Sequence, residues 1–174
     1  MVEKIVKKWL KNTSKLLDIS YLDLKEWPKE LKGKEEFILQ LKCSNNQLTS
    51  LPALHNCVKL FCFRNKLTSL SDLPNCVELT CFNNQLTSLP LLHNCKELFC
   101  DANKLTSLLL LPNCVELWCS INKLTSLPLL PNCKDLDCSR NQLTYLPSLP
   151  NCKRLDCSYN TSTYYDFSIG LVLK

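Results

Sequence analysis

A period of 19 residues runs through most of this 174-residue chain and limits what it can fold into. Six units begin at Leu41, Leu60, Leu79, Leu98, Leu117 and Leu136, and a partial unit begins at Leu155. Their common text is L-x-C-x-x-N-x-L-T-S-L-x-x-L-x-N-C-x-x. A unit this short buries its apolar side chains only against neighbouring units. The period therefore predicts a stacked solenoid.

The 13 cysteines follow the same period. One series steps by 19 from Cys43 to Cys157, and the other steps by 19 from Cys57 to Cys152. The thiols recur beside leucine at inward positions and lack the C-x-x-C spacing typical of metal sites. We expect them to pack as small apolar side chains, with no metal and no cofactor. Adventitious oxidation and a metal or redox role are the alternatives.

Within each unit, the pattern of side chains predicts one short strand. Leu60 and Cys62 alternate with Phe61 and Phe63, as in a strand that buries one face. Stacked in register, these strands form a parallel sheet. The asparagine after each strand, and a second asparagine before the other cysteine, are expected to satisfy backbone groups at the two corners. The proline-rich return segments are too short for a helix, which favours an extended or polyproline-like convex side.

The ends of the chain depart from the period, although the whole is predicted to be one domain. Residues 1–16 are predicted to form an N-terminal capping helix, 17–40 an atypical first repeat, 41–154 the six repeats, and 155–174 a partial last repeat with a C-terminal cap around Tyr164, Tyr165 and Phe167. The helix has lysines opposite an apolar face of Val2, Ile5, Val6, Trp9, Leu10 and Leu17. A basic helix lying on an anionic membrane is the alternative.

Read across the joint between units, the text C-x-x-L-x-C-x-x-N-x-L matches the leucine-rich repeat signature with cysteine at two core positions. The chain resembles the short cysteine-containing repeats of leucine-rich repeat proteins of giant DNA viruses of amoebae. It is also similar, through N-x-L-T-S-L-P-x-L-P, to the recognition domains of bacterial effectors, including secreted ubiquitin ligases. Those ligases carry a large catalytic domain beyond the repeats, which residues 155–174 are too few to supply. The resemblance implies a binding module acting in a host cell and transfers no catalytic residue.

The sequence lacks residues and motifs that several classes of function require. The only histidines, His55 and His93, occupy a turn position of the repeat, and with only 2 glycines there is no phosphate-binding loop. We therefore expect no enzyme. The net charge of +5 is mild and includes the N-terminal lysines, which gives little reason to expect nucleic acid. No signal peptide and no membrane span are recognisable, so we expect an intracellular protein in the host cytoplasm or the virion.

Outward strand positions vary between repeats, and we expect the binding site there. Five aromatic residues are predicted to share this concave sheet face: Phe61, Phe63, Phe82, Phe99 and Trp118. Exposed aromatics at the centre of a surface are typical binding anchors, with Trp118 beside Phe99 as the first pair. The alternatives are cross-strand stacking that stabilises the sheet, or cover by the chain's own terminal segment.

Acidic residues flank the aromatics. Glu78, Glu97, Glu116 and Asp135 are predicted to stack in one column, with Asp137 nearby. This favours a protein or peptide partner with an apolar segment followed by Lys or Arg, although a solvated rim is the alternative. The sequence thus predicts a non-catalytic interaction module of viral origin. The alternatives are a substrate-recognition component of a pathogen effector or ubiquitin-ligase assembly, and a self-associating structural protein.

Overall fold

The computed structural model describes residues 1–161 as a short helix followed by one parallel sheet of eight strands. Helix α1 is Val2–Trp9. The strands are β1 Leu17–Asp18, β2 Gln40–Lys42, β3 Lys59–Phe61, β4 Glu78–Thr80, β5 Glu97–Phe99, β6 Glu116–Trp118, β7 Asp135–Asp137 and β8 Arg154–Asp156. Each strand pairs with the next one along the chain, in the order β1 to β8. The predicted solenoid of leucine-rich repeats is therefore confirmed.

The register of the sheet follows the sequence period. Leu41 pairs with Leu60, and Leu60 pairs with Leu79, so each strand lies 19 residues from its neighbour from β2 onward. The first step is longer, because Leu17 pairs with Leu41. Two 3₁₀ turns, Lys29–Leu31 and Glu35–Phe37, occupy the extra length. Equivalent residues of the repeats therefore lie side by side, and outward positions form columns across the sheet.

The core is a stack of leucines and cysteines inside the coils. In the coil that begins with β4, Leu79, Cys81, Leu86, Leu92 and Cys95 are all buried. The cysteines pack at both inward positions, as predicted, and the thiols of the second series also donate weak hydrogen bonds to backbone carbonyls, as Cys95 does to Glu97 at 3.3 Å. Between residues 43 and 161 the return segments contain no helix, which agrees with the predicted extended convex side.

The N-terminal helix covers one end of this core but is shorter than the predicted segment 1–16. Val6 and Trp9 are buried, and the indole N–H of Trp9 donates to the carbonyl of Lys15 at 3.0 Å. Beyond Trp9 the helical spacing was misleading, because the chain turns there and Leu17 enters β1. Leu10 is consequently exposed. In the described part of the chain, no helix has the length and apolar character needed to cross a membrane.

Two asparagine ladders fix the corners of the coils. The inner ladder is Asn46, Asn65, Asn84, Asn103, Asn122, Asn141 and Asn160. In a typical member, the Asn103 side-chain amide donates to the carbonyls of Cys81 and Cys100 at 3.1 Å, and its oxygen accepts from the Leu86 N–H at 3.0 Å. At the other corner Asn113 donates to the carbonyl of His93 at 2.8 Å. Both predicted roles are confirmed.

A left-handed residue precedes each asparagine of the inner ladder. These residues are Asn45, Arg64, Asn83, Ala102, Ile121, Arg140 and Tyr159, with φ between 50° and 55°. Glycine, the usual residue for this conformation, is absent from all seven positions. Ile121 is the most strained of them, since a β-branched side chain is poorly tolerated at positive φ. The predicted C-terminal cap lies outside the described residues.

Candidate binding face of the sheet

The outward side chains of β2 to β8, with the residue after each inner cysteine, form a surface that we call the sheet face. The first strand position gives the column Gln40, Lys59, Glu78, Glu97, Glu116, Asp135 and Arg154. The third position gives Lys42, Phe61, Thr80, Phe99, Trp118, Asp137 and Asp156, and the residue after cysteine gives Ser44, Phe63, Phe82, Asp101, Ser120, Ser139 and Ser158. All ten predicted site residues lie on this face.

The five aromatic side chains form two groups. Phe63 and Phe82 stack with ring centroids 4.5 Å apart and an interplanar angle of 12°. Phe99 and Trp118 meet edge to face at 5.1 Å and 84°. The cross-strand stacking expected as an alternative is therefore present. Each such ring pair stabilises a protein by about 0.5–1.5 kcal/mol beyond the effect of burying its apolar surface. Trp118 is the most accessible of the five, at 43%, and the four phenylalanines are half-buried.

Phe61 stands apart from both stacked pairs. Its ring lies beneath the ammonium group of Lys42, which is 5.4 Å from the ring centroid. Phe61 and Trp118 belong to β3 and β6, which are three strand spacings apart, or about 14 Å. A single side chain of a partner therefore cannot contact the predicted anchors at both ends of the aromatic series.

The acidic column is in register as predicted, and the acid at each end of it forms an ion pair with a basic residue. Lys59 Nζ lies 2.6 Å from Glu78 Oε2, and the Arg154 guanidinium contacts the Asp135 carboxylate. The bond to Glu78 raises the pKa of Lys59. Glu97 and Glu116 form no ion pair within residues 1–161. Within this column, the two central acids therefore carry the unbalanced charge.

Three further carboxylates on the face accept hydrogen bonds from serines, and the simplest case is Asp156 Oδ1, which accepts from the Ser158 N–H at 2.9 Å. Asp101 Oδ1 accepts from the Ser120 N–H at 2.9 Å and from its hydroxyl at 2.8 Å. Asp137 Oδ1 accepts from both groups of Ser139, at 3.0 and 2.7 Å. Burial raises the pKa of the Asp101 carboxyl. The serines after cysteine are the sequence signal for this arrangement, but no single column shows it, because each bond joins two columns or two coils.

A hollow of about 290 Å³ lies where the exposed aromatic meets the last two strands. Its lining comprises Trp118, Asp135, Leu136, Asp137, Lys153, Arg154, Leu155 and Asp156. The volume is near the lower limit of small-ligand pockets and suits one or two side chains of a partner. Asp135 is already paired with Arg154, but the indole and the carboxylates of Asp137 and Asp156 in the lining can accept an apolar group and an adjacent cation. Lys153 and Arg154 are lining residues that the sequence analysis did not assign to the site.

The cysteines lie behind the sheet face and do not contribute reactive groups to it. Burial raises the pKa of the Cys57 thiol to about 11 and that of Cys95 to about 12. A thiol in this state is a poor nucleophile and a poor metal ligand at neutral pH. Within residues 1–161, no cluster of three or more His, Cys, Asp or Glu side chains is arranged to hold a metal ion.

The fold and the sheet face define a leucine-rich repeat solenoid similar to those of bacterial effectors. YopM from Yersinia enterocolitica WA-314 superposes with a TM-score of 0.86 at 34% identity, over 98% of this chain and 39% of that one. YopM from Yersinia pestis, described as a leucine-rich effector protein, gives 0.81 at 29% identity, over 93% and 48%. A leucine-rich repeat domain of a Shigella effector gives 0.62 at 30% identity, over 92% and 66%.

These similarities cover the repeats of the matched proteins and not their full length. The chain spans about two fifths to two thirds of the length of these three structures. No protein-family model and no curated protein matches it at a significant level. The resemblance to bacterial effectors is thus supported by structure, whereas the resemblance to giant-virus proteins rests on the repeat text alone.

Proposed function

We propose that the protein is a non-catalytic interaction module that binds a protein or peptide on the sheet face. The observation that carries the proposal is the exposed indole of Trp118 above a hollow lined with carboxylates. A large exposed aromatic at the edge of a recess is a typical binding anchor. The fold supports a binding role, because a solenoid keeps its core in fixed positions and leaves outward columns free to vary.

The partner segment that fits this face is apolar and then basic. An apolar side chain would lie against Trp118 and Phe99, and a following Lys or Arg would approach the unpaired carboxylates of Glu97 and Glu116. Surface acids of this kind steer a basic partner and raise its association rate more than its affinity. Added salt is therefore expected to slow association with little change in dissociation.

The proposed setting is the inside of a host cell, in the host cytoplasm or the virion. The structural likeness to Yersinia and Shigella effectors supports action on a host protein. A viral origin is supported only by the cysteine-containing repeat text, and it is part of the proposal. The predicted absence of nucleic-acid binding fits the carboxylates of the sheet face, which would repel phosphates.

A peptide-display selection against the full chain tests the proposal directly. Wild type, Trp118→Ser and Tyr145→Ser would be screened in parallel with reductant present. Tyr145 is the matched control, because it is an exposed aromatic at 58% outside the sheet face. We expect wild type and Tyr145→Ser to enrich peptides in which an apolar residue precedes Lys or Arg, and Trp118→Ser to lose them. Equal enrichment by all three proteins would refute the proposed anchor.

A second candidate is a substrate-recognition component of a pathogen effector or ubiquitin-ligase assembly. The likeness to the Shigella effector domain favours it. Affinity purification from host-cell lysate, compared between wild type and Trp118→Ser, distinguishes the candidates. Ubiquitin-ligase subunits recovered by both proteins would place the assembly contact away from the sheet face. Their absence from both would leave the simple interaction module.

A further inference from the structure

Four exposed leucines form a strip on the return segments, on the side of the coils opposite the sheet. Leu91, Leu110 and Leu129 hold the same position in three consecutive repeats and are 51%, 60% and 67% exposed. Leu109 lies next to Leu110, replaces the proline of the neighbouring repeats, and is 48% exposed. We call these four residues the leucine strip.

The leucine strip is not part of the core. Within the same segments, other leucines point inward, and Leu92, Leu111 and Leu130 are at most 3% exposed. The coils close without the strip, because other repeats carry Ala53, Asp72 or Ser148 at the position of Leu110. Folding therefore does not explain why three successive repeats place leucine there.

Within the three coils that carry the strip, the return side has no charged residue, and the coil before Leu91 carries Asp72 at the equivalent position. Residues 86–95, 105–114 and 124–133 form the return side of three adjacent coils and contain no Asp, Glu, Lys or Arg. The sheet face of the same coils carries Glu78, Glu97 and Glu116. Two copies brought together through their sheet faces would oppose like charges, whereas two copies brought together through the leucine strip would not.

The layout of the strip also suits a two-fold axis. Leu110 occupies the middle coil, which begins with β5, and Leu91 and Leu129 lie one coil away on either side. A rotation about an axis through Leu110 places Leu91 of one copy opposite Leu129 of the other, so that the patch matches itself. A closed dimer requires this self-complementarity.

We infer that the leucine strip is a self-association surface on which a second copy of this chain docks about a two-fold axis at Leu110. This surface is separate from the proposed binding face and does not depend on it. A stable protein interface buries about 800 Å² per partner, whereas apolar patches on monomers reach a few hundred Å². The dimer is therefore weak, and its population rises across the micromolar range.

Sedimentation velocity of the full chain, in reductant and from about 1 to 500 µM, tests this inference. Wild type is expected to shift from monomer toward dimer. Leu110→Lys and Leu110→Glu each place like charges against each other across the axis, and each is expected to weaken the dimer at least about tenfold. An equal mixture of the two variants pairs Lys with Glu and is expected to recover dimer. Circular dichroism melts verify folding, which exposed Leu110 does not control.

Two matched variants locate the contact. Trp118→Ser alters the sheet face, and Tyr145→Lys adds a lysine to the return side outside the strip, so both are expected to dimerise like wild type. A chain that stays monomeric up to 500 µM would overturn the inference. The inference would also be overturned by a dimer that persists in both Leu110 variants, or by a dimer that is lost in Trp118→Ser. The same holds if the mixture of the two Leu110 variants forms no more dimer than either variant alone. Binding of monomer to lipid vesicles through the strip would overturn the assignment of a second copy.

Discussion

Replacing one amide of the inner asparagine ladder tests how the coils are held together. Asn103→Ala removes three donated bonds and one accepted bond. The carbonyls of Cys81 and Cys100 keep a second donor, from Asn84 at 3.0 Å and from Asn122 at 3.1 Å. The Leu86 N–H has no other partner and is left without an acceptor beside a fully buried side chain. The Leu86 N–H is therefore the backbone group that the substitution leaves without a hydrogen bond.

The expected cost follows from this distribution. An orphaned amide costs about 1–3 kcal/mol, and weakening carbonyls that keep a partner adds less than a full hydrogen bond each. We expect Asn103→Ala to lower the free energy of unfolding by about 2–4 kcal/mol. The matched variant Asn113→Ala removes one exposed bond to the His93 carbonyl, which water can replace, and should cost about 0.5–1 kcal/mol.

Urea unfolding followed by circular dichroism and tryptophan fluorescence measures both costs, provided the two signals change together. Amide hydrogen exchange adds a local readout, since Leu86 should lose protection in Asn103→Ala while Leu67, which is bonded to Asn84, should keep it. Equal costs for the two variants, or unchanged protection at Leu86, would refute the argument that the inner ladder holds otherwise unpaired backbone amides.

Three further outcomes follow from the same structure. Ile121→Asn should raise the urea midpoint by relieving about 1 kcal/mol of strain at positive φ, and Asn83→Ile should lower it by a similar amount; unchanged midpoints in both would contradict this. Ellman's reagent at about pH 8 should react first with the half-buried Cys152, and a rapid phase that survives Cys152→Ser would contradict the burial of the other thiols. Burial raises the pKa of Asp101, so its folded state binds the proton more tightly and stability falls as pH rises through that pKa. Asp101→Asn should therefore be more stable than wild type at pH 7, with an advantage that disappears at about pH 3, where the carboxyl is protonated in both states; equal gains at both pH values would contradict this.

The repeat architecture could be predicted because one period specifies several features at once. A constant 19-residue offset fixes the strand register, places Leu60 over Leu79, and aligns the asparagines that bond neighbouring coils. Helix α1 was predicted less well. Its apolar spacing continued to Leu17, but the turn at Asn12, where the Ser14 N–H bonds to the side-chain oxygen, ended it early. Local turn chemistry determined the helix end, and periodicity alone did not contain it.

The candidate face was predicted in position but not in charge or exposure. Columns gave the neighbours of each residue, yet the pairing of Lys59 with Glu78 depends on side-chain conformations that no column shows. Likewise, the sequence allowed Phe63 and Phe82 to be either binding anchors or cross-strand stacking partners, and the ring geometry shows that they stack. The sequence also did not predict the left-handed conformation before each asparagine of the inner ladder, because residues as different as Ala102 and Ile121 occupy that position.

The separation of core from surface explains how one chain can carry two independent surfaces. Inward leucines, cysteines and asparagines complete each coil without help from the residues that point outward. Trp118 on the sheet and Leu110 on the return segment therefore lie on opposite sides of the core, and a change at either leaves the packing of the other intact. A dimer formed through the leucine strip would keep both sheet faces open. Weak association through one surface could then present two copies of the other, which raises the effective affinity for any partner that carries repeated binding segments.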